Sequence, residues 1–214
     1  MKKPTVPVAK EGIPFIAFAA LLSLVLAVLH YSLLSFAALT LTAFVLYFFR
    51  DPERIGCDDE DALISPADGK VILIEKVFDE RYVKEHVYKI SIFMNVFNVH
   101  VNRVPFPGKV RKVIYTPGTF YSANTEKSSL GNESCAVVLE TGDGKKMAFV
   151  QIAGLIARRI VCWAVRGDEL NKGERFGLIR FGSRVDLYLP LQTQLEVAKG
   201  QKVRAGETIL GYLS

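Results

Sequence analysis

Hydrophobic positions follow two different patterns along the chain, and the first is a continuous apolar run. From Ile13 to Phe49 there are 37 residues without an Asp, Glu, Lys or Arg. A single helix of this length would measure about 55 Å, whereas the hydrocarbon core of a bilayer is about 30 Å thick. His30, Tyr31 and Ser32 lie midway and are suited to a turn. The pattern therefore predicts a transmembrane hairpin of two short helices, near 13–29 and 33–49, within a membrane segment 1–50.

The second pattern is typical of β structure. Past residue 55, segments of five to eight residues rich in Val, Ile, Tyr and Phe alternate with Gly, Asp and Asn. Thr141-Gly142-Asp143-Gly144 between two such segments predicts a hairpin turn, and only Ile156–Val165 has the spacing of a possible helix. The predicted strand segments are Val71–Val77, Val87–Met94, Lys109–Tyr115, Ala136–Glu140, Met147–Ile152 and Arg184–Leu189.

A weak internal repeat refines the predicted fold class. Gly167 and Gly173, followed by Glu174, recur as Gly200 and Gly206, followed by Glu207. Glycines with this spacing beside short strands resemble the hairpins of lipoyl and biotinyl domains, and two copies are too few for a solenoid. The sequence thus predicts a mainly β protein, with a barrel-sandwich-like β domain over 51–214 after the helical hairpin.

The charge distribution favours a membrane surface as the partner of this protein. Of the net charge of +5, +3 belongs to residues 1–50, so the basic surplus lies beside the apolar run. This arrangement suits anionic lipids better than nucleic acid, for which the sequence has no motif. Basic residues flank both ends of the run, which places both ends, and the β domain, on the cytoplasmic face of the cell membrane. These residues are Lys2, Lys3, Lys10, Arg50 and Arg54.

The three cysteines argue against two kinds of stabilising centre. Cys57, Cys135 and Cys162 are widely spaced and form no Cys-x-x-Cys pair. Neither a disulfide framework nor a zinc site is expected, and no metal site is predicted. A reducing cytosol is the expected environment of the β domain.

His100 is the histidine most suited to chemistry in the β domain. If residues 98–103 form a strand, then Asn98, His100 and Asn102 share one face. Three polar groups on one face need a reason if that face is buried, whereas a solvated face would make them ordinary. Of the other two histidines, His30 lies in the apolar run and is expected at its turn, and His86 lies in a charged stretch.

Two further positions are suited to take part in chemistry, although each also has an ordinary structural interpretation. Asp68 precedes Gly69 in a turn that leads into a strand, which is common turn chemistry. Gly182-Ser183 joins an apolar segment to a strand. A serine hydroxyl can attack the carbonyl of the preceding residue, and a glycine there permits the backbone geometry that this attack needs.

Taken together, these segments resemble the short-form phosphatidylserine decarboxylase proenzymes of bacteria and archaea. The motifs occur in the family's order, cover about residues 47–214, and follow an apolar N-terminus as in that family. Each motif is modest, and the ordered set is specific. The segments are Phe48–Arg54, Ser65–Val71, Asn98–Pro105 with Gly108, Lys127–Glu133 and Phe181–Arg184.

The resemblance implies an enzyme that processes itself. The chain would break between Gly182 and Ser183, giving a heterodimer of two fragments, 1–182 and 183–214. Ser183 would become a pyruvoyl group, with His100 and Asp68 activating its hydroxyl as in a hydrolase triad. The group would form an imine with phosphatidylserine and decarboxylate it to phosphatidylethanolamine, with His100 protonating the carbon. Neither a metal nor pyridoxal phosphate is implied.

The sequence departs from the family pattern at two positions. Long-form relatives have a second histidine where this chain has Arg103, so Arg103 is a candidate for binding the substrate carboxylate or phosphate. Ser134 follows Asn132-Glu133 where an arginine is common, so that region is left out of the predicted site.

Two other functions remain open at this point. Asp68, His100 and Ser183 occur in an order used by some serine hydrolases, although Gly182-Ser183-Arg184 lacks the second glycine of a nucleophile elbow. A membrane-tethered adaptor of the biotinyl or lipoyl kind would need a lysine at a hairpin tip, for which Lys145-Lys146-Met147 is a poor match. A hydrolase would remain one intact chain, and an adaptor would carry a lysine adduct.

Overall fold

A computed structural model describes residues 7–118, 131–154, 159–180 and 182–213. The chain divides into two compact units, Met1–Glu53 and Arg54–Ser214. The first unit is helical and the second consists of β structure. The observed boundary therefore lies three residues beyond the end predicted for the membrane segment.

The N-terminal unit is a pair of apolar helices that follow a short 3-10 helix, Lys10–Gly12. Helix α1 (Ile13–Val28) and helix α2 (Ser32–Phe48) are connected by residues 29–31, where His30 has a φ of 60°. The Ser23 and Thr42 hydroxyl groups lie 3.1 Å apart and connect the helices by a hydrogen bond. The helices thus match the predicted ranges to within one residue at each end.

The two helices differ in their suitability as membrane spans. Among the described residues, only the helical stretch Lys10–Val28 has both the length and the mean hydropathy, 2.2, of a spanning helix. Ser32–Phe48 is apolar and shorter, at 17 residues. Large side chains such as Phe18, Leu33 and Phe36 are exposed on these helices within the unit, which supports an apolar environment around them.

The second unit contains fourteen strands among its described residues, which confirms the prediction of a mainly β protein. Several strands coincide closely with the predicted apolar segments. The strands are β1 (Ala62–Ile64), β2 (Gly69–Phe78), β3 (His86–Met94), β4 (Val101–Arg103), β5 (Gly108–Thr116), β6 (Ser134–Glu140), β7 (Lys146–Ile152), β8 (Ile160–Cys162), β9 (Glu169–Leu170), β10 (Arg175–Ile179), β11 (Ser183–Pro190), β12 (Gln194–Leu195), β13 (Lys202–Val203) and β14 (Ile209–Tyr212).

The strands form one large sheet and two small ones. The eight-stranded sheet has the order β13-β2-β3-β11-β7-β6-β5-β9, and the three-stranded sheets have the orders β1-β14-β12 and β4-β10-β8. All paired strands are antiparallel. The prediction of a possible helix over Ile156–Val165 is wrong in its described part, because residues 160–162 pair with β10 as the extended strand β8.

The sequence repeat corresponds to a repeated set of hydrogen bonds. The Gly167 amide donates to the Val110 carbonyl at 2.9 Å, and the Gly200 amide donates to the Val71 carbonyl at 2.8 Å. Gly173 and Gly206 donate in the same way to Val104 and Ser65, both at 2.9 Å. All four glycines have positive φ, from 78° to 97°, a conformation that other residues rarely adopt. The repeat therefore marks two equivalent turn segments, residues 167–173 and 200–206, each of which contains a short strand, β9 or β13.

The equivalence extends to the whole β unit. One copy is the continuous run β4–β10, and the other consists of β1–β3 and β11–β14, so the first copy is inserted between β3 and β11 of the second. The copies meet where β11 pairs with β7, with Leu187 opposite Phe149 at the centre of the approximate two-fold relationship. Arg103 donates its amide to Pro66, and the equivalent residue Ile64 donates to Pro105.

The largest hydrophobic cluster of the described residues contains side chains from both copies. The inward face of the eight-stranded sheet contributes Ile90, Ile92 and Met94 from β3 and Val185, Leu187 and Leu189 from β11. These residues alternate along their strands, as expected for a sheet face. The opposite face carries Arg184, Asp186 and Tyr188 on β11. Ser183 has the same parity as the core residues of β11, so it points to the interior of the unit.

Candidate active site

Gly182 and Ser183 lie where the chain leaves the inserted copy and enters β11. Gly182 has a φ of 61°, and its equivalent Gly144, in the hairpin between β6 and β7, has a φ of 83°. Ser183 begins β11 opposite Met94 and is fully buried. The Ser183 hydroxyl oxygen has no hydrogen-bond partner among the described residues. A buried hydroxyl group next to a left-handed glycine is suited to attack on the preceding carbonyl.

His100 is fully buried immediately before β4. Its carbonyl oxygen accepts a hydrogen bond from the Ile179 amide at 3.3 Å, close in the chain to the Gly182-Ser183 junction. The prediction of a strand from residue 98 is wrong, since Asn98 lies in a turn. The Asn98 side-chain oxygen accepts from the Asn95 amide at 2.9 Å, which satisfies a backbone donor locally and removes Asn98 from the predicted polar face.

Asp68 is held in an ion pair that the sequence did not reveal. Arg54 Nη2 donates to both carboxylate oxygens, at 3.1 Å to Oδ1 and 2.9 Å to Oδ2. The Ala205 amide donates to Oδ1 at 2.8 Å. Arg54 Nη1 also lies 3.3 Å from a Glu207 carboxylate oxygen. Arg54 belongs to one of the recognised motifs, but only the tertiary fold places it against Asp68.

Arg103 lies beside the turn that contains Asp68. Its amide donates to the Pro66 carbonyl at 2.9 Å, and its Nη1 donates to the Gly173 carbonyl at 3.0 Å. A Cβ atom on Gly206 would lie 2.8 Å from Arg103 Cδ and 3.5 Å from Arg54 Cβ. A side chain at position 206 would therefore press against the aliphatic parts of both arginine side chains. The fold places Arg54, Asp68 and Arg103 close to one another.

Two buried amide side chains near Ser183 were not recognised as site residues from the sequence. Gln151 Nε2 donates to Asn102 Oδ1 at 2.9 Å, and Asn102 Nδ2 donates to Met94 Sδ at 3.6 Å. Both amides are fully buried. One indication of this site was present in the sequence. Gln151 is the single polar residue in the apolar segment Met147–Ile152, and it lies on the same face of the strand as Met147 and Phe149.

The internal symmetry gives a further indication of where the predicted residues lie. The residues equivalent to Asp68, His100 and Ser183 are Pro107, Asp61 and Lys145. These three counterparts line one open cavity of about 850 Å³. By the two-fold relationship, Asp68, His100 and Ser183 are therefore expected to surround one common space as well. Among the described residues, no group of three or more His, Cys, Asp and Glu is arranged to hold a metal ion.

Comparisons with known proteins support the family that the sequence motifs indicate. A profile of the family described as phosphatidylserine decarboxylase matches residues 41–211. The chain is 62% identical over 213 residues to the phosphatidylserine decarboxylase proenzyme of Desulfotalea psychrophila, with complete coverage of both chains. It is 51% identical, again with complete coverage, to the proenzymes of Geotalea uraniireducens and Syntrophotalea carbinolica.

Proposed function

The chain belongs to the phosphatidylserine decarboxylase family, and from that membership we propose that it is a self-cleaving proenzyme whose mature form converts phosphatidylserine to phosphatidylethanolamine. Cleavage occurs between Gly182 and Ser183. The products are a fragment of residues 1–182 and a fragment of residues 183–214 that begins with a pyruvoyl group. The two fragments remain together as the active enzyme.

The observation that carries this proposal is the state of Ser183. Its hydroxyl oxygen is buried without a hydrogen-bond partner among the described residues, and Gly182 beside it has a φ of 61°. A buried polar atom without a partner costs about 1–3 kcal/mol, and at Ser183, unlike at Ser91, the hydroxyl directly follows a left-handed glycine whose carbonyl it can attack. Attack of this hydroxyl on the Gly182 carbonyl converts the peptide bond to an ester and frees the amino group of residue 183. Elimination then releases the Gly182 carboxylate and leaves dehydroalanine at position 183, which water hydrolyses to the pyruvoyl group and ammonia.

The buried position of residue 183 also fits the group that cleavage would create there. A pyruvoyl group at this position would supply a carbonyl that reacts with the substrate amine and draws electrons from the bond to the carboxylate. A buried, apolar surrounding excludes water from that carbon. Met94 opposite Ser183 and Val185 beyond it on β11 contribute apolar surface to this surrounding.

We assign the proton transfers to His100. An imidazole group can accept a proton from the Ser183 hydroxyl during cleavage, and can later donate one to the substrate carbon. The burial of His100 beside the segment that leads to Gly182 supports this assignment. Asp68, whose carboxylate accepts hydrogen bonds from Arg54 and the Ala205 amide, stabilises the ionised imidazole of His100. Arg103 binds the carboxylate or phosphate of the headgroup.

We further propose that the helical unit is the membrane anchor. Helices α1 and α2 would each measure about 25 Å, slightly less than the thickness of the hydrocarbon core. As a hairpin with basic residues at both ends, the unit would keep the β domain at the cytoplasmic face. The substrate does not leave the bilayer, so an anchored enzyme remains close to it.

The cleavage assignment is tested by Ser183→Ala in the full chain. Denaturing mass spectrometry should show one intact polypeptide without decarboxylase activity, because both the attacking hydroxyl and the source of the pyruvoyl group are absent. Ser91→Ala is the matched control, since Ser91 is equally buried on the adjacent strand and its hydroxyl also has no partner among the described residues. The control should cleave normally. Cleavage at 182–183 in Ser183→Ala would refute the assignment.

A further inference from the structure

Gln151 and Asn102 form a buried amide pair with one hydrogen-bonding atom left over. Gln151 Nε2 donates to Asn102 Oδ1, and Asn102 Nδ2 donates to Met94 Sδ. Gln151 Oε1 is buried and has no hydrogen-bond partner among the described residues. The pair therefore offers one vacant acceptor inside the protein.

The two-fold relationship shows that the fold itself does not require these amides. Asn102 corresponds to Leu63, because Asn102 lies opposite Gly177 and Leu63 opposite Gly211 beside equivalent bulges. Gln151 corresponds to Leu189. Both leucines are fully buried in the hydrophobic core. The same architecture is thus built with two leucines in one copy. The buried amides of the other copy cost free energy where their hydrogen bonds are incomplete, and a function would explain why they are present.

The orientation of the Gln151 amide is defined by its neighbours. Nε2 lies 2.9 Å from Asn102 Oδ1 and 3.5 Å from the Val161 carbonyl oxygen. Exchange of the amide nitrogen and oxygen would bring Oε1 against a carbonyl oxygen, which is unfavourable. Gly177 leaves the space that the amide occupies, because a Cβ there would lie 2.6 Å from Nε2 and 3.0 Å from Oε1. The vacant atom is therefore the oxygen.

The vacant oxygen belongs to the same face of the sheet as Ser183. Gln151 lies opposite Val185, and Arg184 lies opposite Ile152, so Ser183 and Gln151 are diagonal neighbours across β11 and β7. Such neighbours are about 7–8 Å apart, within reach of a long side chain and a small ligand. Met94, which contacts Asn102, is directly opposite Ser183.

We infer that Gln151 Oε1 accepts a hydrogen bond from the amino group of the substrate headgroup, with Asn102 fixing the orientation of the amide. This inference rests on the proposed function, which brings that amino group to residue 183. The headgroup carboxylate and phosphate groups are acceptors and do not complement a carbonyl oxygen. The amine is the donor that does. Gln151 is thereby a residue that selects for the amine, and Asn102 is a positioning residue.

The test measures binding of two soluble headgroup probes to the processed, full-length enzyme in detergent. Glycerophosphoethanolamine carries the amine without the carboxylate, and glycerol phosphate carries neither. The variants are Gln151→Leu and the double variant Asn102→Leu/Gln151→Leu, which reproduces the leucines of the other copy. Ser91→Ala is the control for removal of a buried polar group. Calorimetry gives the dissociation constants, mass spectrometry the cleaved fraction, and thermal unfolding the stability.

Gln151→Leu should weaken glycerophosphoethanolamine binding about tenfold, as expected for one hydrogen bond to a charged donor. Glycerol phosphate binding and self-cleavage should stay at the wild-type level, and so should all values for Ser91→Ala. The single variant leaves Asn102 Oδ1 without its described donor and should melt at a lower temperature, whereas the double variant, which buries neither amide, should melt at or above the wild-type temperature. Unchanged amine binding in both variants, equal weakening of both probes, or failure of the wild type to bind the amine probe would overturn the inference. So would loss of self-cleavage or of folding in both variants, since the amides would then serve processing or structure. Failure of the proposed function would appear separately, as cleavage in Ser183→Ala.

Discussion

Arg54 Nη2 donates hydrogen bonds to both carboxylate oxygens of Asp68, at 3.1 Å to Oδ1 and 2.9 Å to Oδ2. Arg54 is the first residue of the β unit, and Asp68 ends the turn that leads into β2. Both side chains are only about one-tenth exposed. The pair therefore joins the entry of the unit to the candidate site, in surroundings where an ion pair is little screened by water.

Loss of Arg54 should destabilise the β unit strongly. Arg54→Met leaves the Asp68 carboxylate buried with the Ala205 amide as its remaining described donor, which should lower the free energy of unfolding by about 3 kcal/mol. Arg204→Met is the control, because Arg204 also lies near Glu207, at 3.7 Å, but is mostly exposed. It should cost less than about 0.5 kcal/mol. Equal effects in thermal or denaturant unfolding would argue against a structural role for the Arg54–Asp68 pair.

The proposed roles of His100 and Asp68 differ and can be separated. His100→Ala should slow self-cleavage severely, and the cleaved fraction should decarboxylate poorly, because one imidazole serves both steps. Asp68→Asn should mainly slow self-cleavage. The cleaved fraction is followed by mass spectrometry, and carbon dioxide release is normalised to pyruvoyl content. Normal processing and normal turnover per pyruvoyl in His100→Ala would transfer both roles to another group.

Removal of residues 1–46 should separate anchoring from catalysis. The β unit has its own core, so the shortened chain should fold and cleave itself. Activity should fall on bilayer phosphatidylserine and persist on a short-chain, soluble analogue. Rates on the two substrates, compared at equal pyruvoyl content, provide the measurement. An equal loss on both would contradict a role restricted to anchoring.

Tyr188 on β11 and Tyr82 in the turn between β2 and β3 form a ring pair with centroids 5.2 Å apart, and this pair should make the fold sensitive to alkali. Burial raises the pKa of Tyr188, and the nearby Asp186 carboxylate raises it further; burial also raises the pKa of Tyr82. The neutral phenols are favoured in the folded state, so their contribution to stability is complete below the unfolded pKa of about 10 and is lost as pH rises towards the folded values. Tyr188→Phe should flatten this loss.

Ultraviolet titration of tyrosinate checks the same assignment directly. Part of the tyrosine absorbance change in the folded protein should appear only at a pH well above 10, or together with unfolding. The delayed part should decrease in Tyr188→Phe. A single titration near the ordinary value, unchanged by this substitution, would show that the ring pair is not shielded as the structure indicates.

Local patterns in the sequence predicted the elements better than their partners. The segment Met147–Ile152 is apolar and β-branched enough to define β7, and the glycine repeat identified two equivalent turn segments. No local signal shows that β3 pairs with β11, because the whole inserted copy lies between them. The contacts of Arg54 with Asp68, 14 residues along the chain, and of Asn102 with Gln151, 49 residues along, also leave no local signal, since each pair is brought together only by the closed fold.

The insertion between β3 and β11 has a consequence for how the mature enzyme can be made. Strand β11 lies inside the large sheet, with β3 on one side and β7 on the other, and β13 and β14 pair with β2 and β1. The proposed cleavage before β11 would leave a short polypeptide whose strands pair with strands of the longer one on both sides. The two fragments would then separate only if the whole β unit unfolded. Each enzyme molecule would keep the fragment with which it was synthesised as one chain, and separately synthesised fragments should not reconstitute it.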